Sequence, residues 1–180
     1  SSAALVTTHA QQVVDACDTV VLSVRPADFQ SLSIRAENKL VISVMAGVSA
    51  AAIARATGAT RIIRALPNVA ASVGRSYTPW VATADATAAD RACVTRMFEA
   101  CGLCDEVADE QQLDYLTGLS GSGPAFPVLL AEALATDAVK RGLSPRVADR
   151  AVLQLLVGTG RLLEAEPQPP ADIVRSFVDY

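Results

Sequence analysis

Short apolar runs alternate along the first part of the chain with segments whose apolar positions recur every three or four residues. The runs are apolar almost throughout and predict buried strands over Thr19–Val24, Leu40–Met45 and Thr60–Leu66. Helices are predicted over His9–Cys17, from Pro26, and over Ala50–Thr57, with Ser49 as N-cap and Gly58 as the stop. Apolar strands separated by helices are typical of a parallel sheet covered on both faces. We therefore predict an α/β fold here.

The pattern changes near residue 108. Before that point, the alternation continues with a strand over Tyr77–Thr83, a helix over Ala86–Ala100 and a short edge strand over Cys104–Val107. After Asp109, helical patterns follow one another without a strand, over Gln111–Leu119, Pro124–Arg141 and Pro145–Leu163. We predict an α/β domain over residues 1–108 and an all-helical domain over residues 109–180.

The helical segments carry apolar residues on more than one face. These include Val128, Leu129, Leu130, Leu134, Val139, Val152, Leu153, Leu155 and Leu156. So many apolar positions exceed what a small bundle can hide internally, which favours association between subunits. The alternative is that these helices cap the sheet of the first domain.

Composition and charge narrow the class of protein. The 180 residues are 51% hydrophobic with a net charge of −4. Charges interrupt the apolar stretches before the ~18 residues that a membrane span needs, and no basic run could neutralise a phosphate backbone. We expect neither a membrane protein nor a nucleic-acid partner. Four cysteines without a signal-like start favour a cytoplasmic protein, and the single histidine, His9, leaves most metal sites without a ligand. We predict no metal and an exposed His9.

Three of the predicted strands end in turns of small residues and proline. The turns are Val24-Arg25-Pro26, Ala46-Gly47 and Pro67-Asn68. Open α/β sheets bind ligands at the carboxyl ends of their strands, where turns present backbone amides. Each turn by itself is more often only a connection between two elements. The occurrence of all three at one edge of the sheet is what favours a ligand-binding site.

The least ordinary segment of the chain is the run Gly118–Ala125, which contains three glycines and two serines before Pro124. It predicts a loop with close backbone approach that leads into a helix N-terminus, suited either to binding an anion or to tight packing. No strand precedes it, so it is not a dinucleotide fingerprint. Cys101 and Cys104 have CxxC spacing, but without further ligands we interpret them as small apolar residues.

Four segments together resemble the Δ1-pyrroline-5-carboxylate reductases. They are VVLSVRP, LVISVMAGVS, RIIRALPNVAASVG and TGLSGSGPAFPVLLAEALATDAVKRGLSPRVADRAV, in that order over nearly the whole chain. The resemblance implies a partial Rossmann-type domain for NADPH or NADH, followed by a helical domain that forms a homodimer or a larger homo-oligomer. It also implies hydride transfer from the nicotinamide to the C5=N carbon of pyrroline-5-carboxylate, which yields L-proline.

The same resemblance implies roles for particular residues. Val24, Arg25, Pro26, Ala46, Gly47, Pro67 and Asn68 would bind the cofactor, and Ser120, Gly121, Ser122, Gly123 and Pro124 would lie beside the substrate. Glu166 matches a family glutamate near the substrate ring. A carboxylate there favours the protonated imine, which is the better hydride acceptor.

The sequence also departs from the family pattern. Nothing in it corresponds to the first strand and Gly-rich turn that hold the cofactor pyrophosphate, or to the later Gly-Thr-Thr loop that holds the substrate. We therefore expect these 180 residues by themselves to be inactive. Two alternatives stay open: a non-catalytic homologue that serves as an oligomerisation module, and a reductase of another cyclic imine or of a β-hydroxyacid.

Overall fold

The computed structural model describes residues 6–165 and 168–178. Within them, the strands are β1 (Thr19–Leu22), β2 (Leu40–Ser43), β3 (Arg61–Ala65), β4 (Ser76–Ala82) and β5 (Gly102–Glu106). The helices are α1 (Ala10–Asp15), α2 (Pro26–Phe29), α3 (Ala50–Thr57), α4 (Ala88–Glu99), α5 (Glu110–Leu116), α6 (Ala125–Lys140), α7 (Pro145–Ala165) and α8 (Pro170–Val178). A 3₁₀ turn spans Val69–Val73, and a π-helical turn spans Thr117–Gly121.

The described strands form one mixed sheet in the order β1-β2-β3-β4-β5. β1, β2 and β3 are parallel to one another, as predicted. β4 runs antiparallel to β3, and β5 runs parallel to β4, so the predicted parallel sheet contains one antiparallel pairing. The cause is the short segment 66–75 between β3 and β4, because a parallel crossover needs roughly a dozen residues or more.

Two apolar clusters cover the two faces of the sheet. On one face, Val14 of α1, Phe29 of α2 and Ile53 of α3 belong to a cluster that includes Val41 and Ile62. The other cluster includes Ile42, Ile63, Trp80, Val94 and Phe98. β2 and β3 are therefore covered on both faces, as their continuous apolar sequences predict. β1 differs, since it lies at the sheet edge and Val21 is 47% exposed.

Side-chain caps fix the start of the longer helices in the sheet-bearing part. Ser49 Oγ accepts a hydrogen bond from Ala52 N at 3.2 Å, and Gly58 ends α3 with φ 74°, as predicted. Thr87 and Asp90 form a capping box at α4, and Asp90 also accepts from Arg61. Burial alone would raise the pKa of Asp90, but its hydrogen bonds with Thr87 and the charge of Arg61 outweigh burial and lower that pKa.

The chain forms two compact units, one that ends at Pro124 and one that begins at Ala125. α5 belongs to the first unit, and the domain boundary after residue 108 stays a prediction. In the second unit, α6 packs against α7, while α6 itself has no buried residue. The sequence reading missed α8, although Pro170 at its first position and Asp172 in its first turn are typical start signals. None of the helices described here is long and apolar enough to cross a lipid bilayer.

Candidate functional site

The three predicted cofactor turns follow the three mutually parallel strands. Because β1, β2 and β3 pair in parallel register, their carboxyl ends lie at the same edge of the sheet. Val44 N donates to Leu22 O at 3.0 Å, which ties the ends of β1 and β2 directly. The structure therefore brings the turns at Val24, Ala46 and Pro67 to one edge, where open α/β sheets bind ligands.

The turn after β1 presents an exposed cation. Pro26 is the first residue of α2 and Arg25 its N-cap residue, in agreement with the sequence reading. The Arg25 side chain is 84% exposed, and its Nε donates to Asp28 Oδ2 at 2.7 Å. Val24 beside it is also exposed. The guanidinium is thus held along α2 and remains accessible to an anionic ligand.

The turn after β2 leaves open space. Gly47 has φ 72°, which L residues with side chains rarely adopt, and a Cβ built there would meet no atom within 4 Å. Ala46 is exposed, and the neighbouring Met45 is buried. The turn therefore presents a small-residue surface near the carboxyl end of β2, and open α/β sheets bind ligands at such ends.

The turn after β3 is held by Asn68. Asn68 N donates to Ser76 Oγ at 3.1 Å, and Asn68 Oδ1 accepts from Ala70 N at 3.0 Å as the N-cap of the 3₁₀ turn. Its Nδ2 donates to Ser120 O at 2.9 Å. The hydrogen bond to Ser120 brings one predicted cofactor turn into direct contact with the predicted substrate segment.

The predicted substrate segment, Ser120 to Pro124, is wound more tightly than the sequence suggests. Where the sequence predicts a loop with close backbone approach, a π-helical turn continues α5 through Gly121, closed by a hydrogen bond from Ser122 N to Thr117 O at 2.9 Å. A Cβ on Gly123 would lie 2.0 Å from Leu119 O, so a glycine is required by the approach of the segment's own backbone. Single π turns of this kind are frequent at functional sites.

A buried ion pair lies beside the site, and the sequence analysis did not predict it. Arg64 on β3 has a side chain 2% exposed, and its Nη1 donates to Glu110 Oε1 at 2.5 Å. The same Oε1 accepts from Ala50 N at 2.9 Å, the first backbone amide of α3. Nη2 of Arg64 lies 3.5 Å from Asp114 Oδ1. The signal was present in the sequence, because Arg64 stands in the middle of the apolar run of β3, and an arginine requires a partner when buried.

This pair joins β3 and the start of α3 to α5. Through Glu110, Arg64 connects β3, the start of α3 and the start of α5, and α5 leads into the π turn. Arg64 Nε is buried without a hydrogen-bond partner among the described residues, so the guanidinium relies on its two carboxylate neighbours. The arrangement fixes where α5 begins relative to the sheet.

The remaining predicted residues lie apart from this edge or outside the described residues. Glu166 is among the latter. The described residues contain no cluster of His, Cys, Asp and Glu suited to a metal, and His9 is exposed. The thiols of Cys101 and Cys104 donate to Phe98 O and Thr95 O. Burial, with Glu99 nearby, raises the pKa of the Cys104 thiol, which fits a packed residue better than a reactive one.

Comparison with known proteins shows which family this chain is similar to. The model of the family described as pyrroline-5-carboxylate reductase dimerisation matches residues 110–178. A pyrroline-5-carboxylate reductase of Synechocystis is 36% identical over 167 residues, covering 91% of this chain and 62% of that protein. The structure of the Coxiella burnetii pyrroline-5-carboxylate reductase superposes with a TM-score of 0.84 at 30% identity, covering 96% of this chain and 66% of that one. The family model over residues 110–178 and these relatives over most of the chain support a member of the pyrroline-5-carboxylate reductase family.

The similarity to pyrroline-5-carboxylate reductases extends to a structure with a bound cofactor. A Plasmodium falciparum pyrroline carboxylate reductase whose structure was determined with NADP bound superposes with a TM-score of 0.77 at 26% identity, covering 87% of this chain and 64% of that one. The α/β sheet followed by a helical region, predicted from the sequence, is confirmed. The chain spans less than two thirds of the length of these relatives.

Proposed function

We propose that the protein reduces 1-pyrroline-5-carboxylate to L-proline with NADPH or NADH. The relatives over most of this chain are named for that activity, and one of their structures carries NADP. In this proposal the cofactor lies across the turns at Val24, Gly47 and Asn68, and the substrate lies beside the segment Ser120–Pro124. Glu166 is the proposed carboxylate near the imine.

The observation that carries the proposal is the hydrogen bond from Asn68 Nδ2 to Ser120 O at 2.9 Å. Hydride transfer requires the donor and acceptor carbons to approach within about 3–3.5 Å in a fixed orientation. A protein that performs it must therefore hold its cofactor turn and its substrate segment against each other. The two segments that the resemblance assigns to those tasks are in contact here.

The residues at the sheet edge suit a nicotinamide dinucleotide. The open surface at Gly47 leaves room for a sugar or ring, and the exposed guanidinium of Arg25 offers a charge for an anionic group. When bound, a reduced nicotinamide supplies the hydride that reduces the imine carbon. The tasks of the protein's own residues are to orient the two molecules and, through Glu166, to favour the protonated imine.

We also propose that the helical part forms a homodimer or a larger homo-oligomer. α6 exposes a set of large apolar side chains, namely Phe126, Val128, Leu129, Leu130, Leu134 and Val139. An apolar surface of this extent is typical of a protein interface. Light scattering should show that Leu129→Glu lowers the molar mass of the full-length protein, whereas Ala88→Glu, at an exposed position of α4, leaves it unchanged. An unchanged mass for Leu129→Glu contradicts this interface.

A cytoplasmic location belongs to the same proposal. All four cysteines are free thiols, which suits a reducing compartment. Fractionation of the source cells should recover the protein with cytoplasmic markers, and recovery with secreted or membrane markers contradicts the assignment.

A substrate panel with the full-length protein tests the activity. We expect the rate of NAD(P)H oxidation with 1-pyrroline-5-carboxylate to exceed that with its six-membered ring homologue. We also expect it to exceed the rate of NAD(P)+ reduction with a β-hydroxyacid. Higher turnover with either of the other substrates would assign a different reductase activity. Absence of turnover with all of them, in a protein that still forms the oligomer, would instead support a non-catalytic oligomerisation module.

A further inference from the structure

We propose that Asn68 is a positioning residue whose side chain holds the π turn Thr117–Gly121 against the carboxyl ends of the strands. This inference rests on the proposed function, because it takes the π turn as the substrate side of the site. It assigns the side-chain amide a task within the protein instead of a contact with the cofactor.

Both the oxygen and the nitrogen of the Asn68 side-chain amide form hydrogen bonds, and these two partners determine the orientation of the amide. Oδ1 accepts from Ala70 N at 3.0 Å, while Nδ2 donates to Ser120 O at 2.9 Å. A flipped amide would place its oxygen against the Ser120 carbonyl and its NH₂ against the Ala70 N–H, so both contacts would become repulsive. The two hydrogen bonds therefore specify one orientation of the side chain.

The backbone at Asn68 is itself fixed to the sheet. Asn68 N donates to the hydroxyl of Ser76, and that hydroxyl is 3.1 Å from Thr78 Oγ1. Ser76 and Thr78 belong to β4 and are buried. A rigid strand thus carries the asparagine that reaches the π turn.

The hydroxyls of the π turn do not perform this task. Thr117 Oγ1 donates to Leu113 O, and Ser120 Oγ donates to Leu116 O, so both bond back to α5. These bonds stabilise the winding of the segment but do not set its distance from the strands. Arg64 and Glu110 fasten the start of α5 to the sheet, and Asn68 fastens its far end.

Two fastening points at opposite ends of one segment define both its place and its tilt. Because near-attack geometry tolerates only small displacements, a shift of about 1 Å in the π turn can lower turnover by roughly a hundredfold. Loss of the Asn68 contact should therefore affect turnover of the imine more than binding of the cofactor.

Two variants separate the contact to Ser120 from the cap of the 3₁₀ turn. Asn68→Asp retains an oxygen that caps Ala70 N, but it places a second oxygen where the donor to Ser120 O was. Asn68→Ser also retains a cap and is too short to reach Ser120. Ser72→Ala is the matched control, because Ser72 Oγ donates to Val69 O within the same 3₁₀ turn and makes no hydrogen bond to the π turn.

Hydrogen exchange and kinetics on the full-length protein test the proposal together. We expect faster amide exchange over residues 117–123 in both Asn68 variants and no change in Ser72→Ala. We also expect kcat to fall roughly tenfold or more, with the Kd of NADPH within about twofold of the original protein.

Each contrary outcome identifies what is wrong. Unchanged exchange over residues 117–123 refutes the contact itself, even if the protein proves to have no reductase activity. Faster exchange with unchanged kcat refutes the positioning role. A rise in the Kd of NADPH that matches the loss of kcat/KM, with unchanged exchange, would show that the Asn68 side chain contacts the cofactor instead. If the reductase activity is absent but exchange responds as expected, the contact stands and the proposed function fails.

Discussion

Replacing Glu110 by alanine should destabilise the protein more than replacing Glu110 and Arg64 together. The single variant leaves the buried guanidinium of Arg64 with only Asp114 nearby, at 3.5 Å. Breaking one side of a buried ion pair costs about 3–5 kcal/mol. The Glu110 side chain is 38% exposed, so water already screens the pair and the lower end, about 3 kcal/mol, applies. That figure includes about 1 kcal/mol for the lost hydrogen bond from Ala50 N.

The double variant Arg64→Met/Glu110→Ala removes the buried charge as well as its partner. Methionine keeps most of the apolar stem of Arg64, so the cost should fall to about 1–2 kcal/mol. Arg64→Met alone should cost a similar amount, because the carboxylate left behind is partly solvated and still accepts from Ala50 N. The predicted order of stability therefore places the Glu110→Ala variant last.

Urea unfolding of the full-length variants measures these differences, with the buried Trp80 as the fluorescence probe. Protein and cofactor concentrations must be equal in all samples, because association and ligand binding both shift the midpoint. With an m-value of about 2 kcal/mol/M, a loss of about 3 kcal/mol lowers the midpoint by about 1.5 M. A double variant as unstable as the sum of the two single variants would refute the reasoning, since the charge left by the first substitution would then carry no cost.

Three further predictions concern the sheet-bearing unit. The folded protein lowers the pKa of Asp90, so the carboxylate contributes to stability above the ordinary carboxyl pKa of 3.8, and this contribution is lost as pH falls through the lower folded value. The thermal unfolding temperature of Asp90→Asn should therefore depend less on pH, below about pH 4, than that of the original protein. Gly123→Ala should lower the free energy of unfolding by about 2 kcal/mol or more, whereas Gly118→Ala, where a Cβ meets nothing within 4 Å, should change it by less than about 0.5 kcal/mol. Because burial raises the pKa of the Cys104 thiol, mass spectrometry should show slow alkylation of Cys104 at pH 7 in the native protein and rapid alkylation in urea, and equal rates would contradict its packing.

Local sequence signals predicted most of the sheet correctly. Ser49 and Gly58 delimit α3 as expected, and the apolar runs of β2 and β3 become strands buried on both faces. Those features depend on residues close together in sequence. The direction of β4 relative to β3 does not depend on such local features, because the residues of β4 are compatible with a parallel or an antiparallel pairing. Only the short length of segment 66–75 excludes a parallel crossover.

Long-range pairing accounts for what the sequence could not predict at the site. Arg64 and Glu110 are separated by 46 positions, and Asn68 and Ser120 by 52. A single sequence shows that Arg64 needs a partner but does not say which carboxylate supplies it. Similarly, Asn68 offers donors and an acceptor, and only the fold shows that two of them are used within the protein.

Deuterium transfer from cofactor to product tests directly whether this protein reduces an imine by hydride transfer. The full-length protein is incubated with 1-pyrroline-5-carboxylate and with NADPH or NADH that carries deuterium at both hydrogen positions of the nicotinamide C4, and the product is analysed by mass spectrometry. We expect proline heavier by about one mass unit, with the label at C5. Deuterated cofactor that is not consumed, or proline formed without the label, would contradict the account.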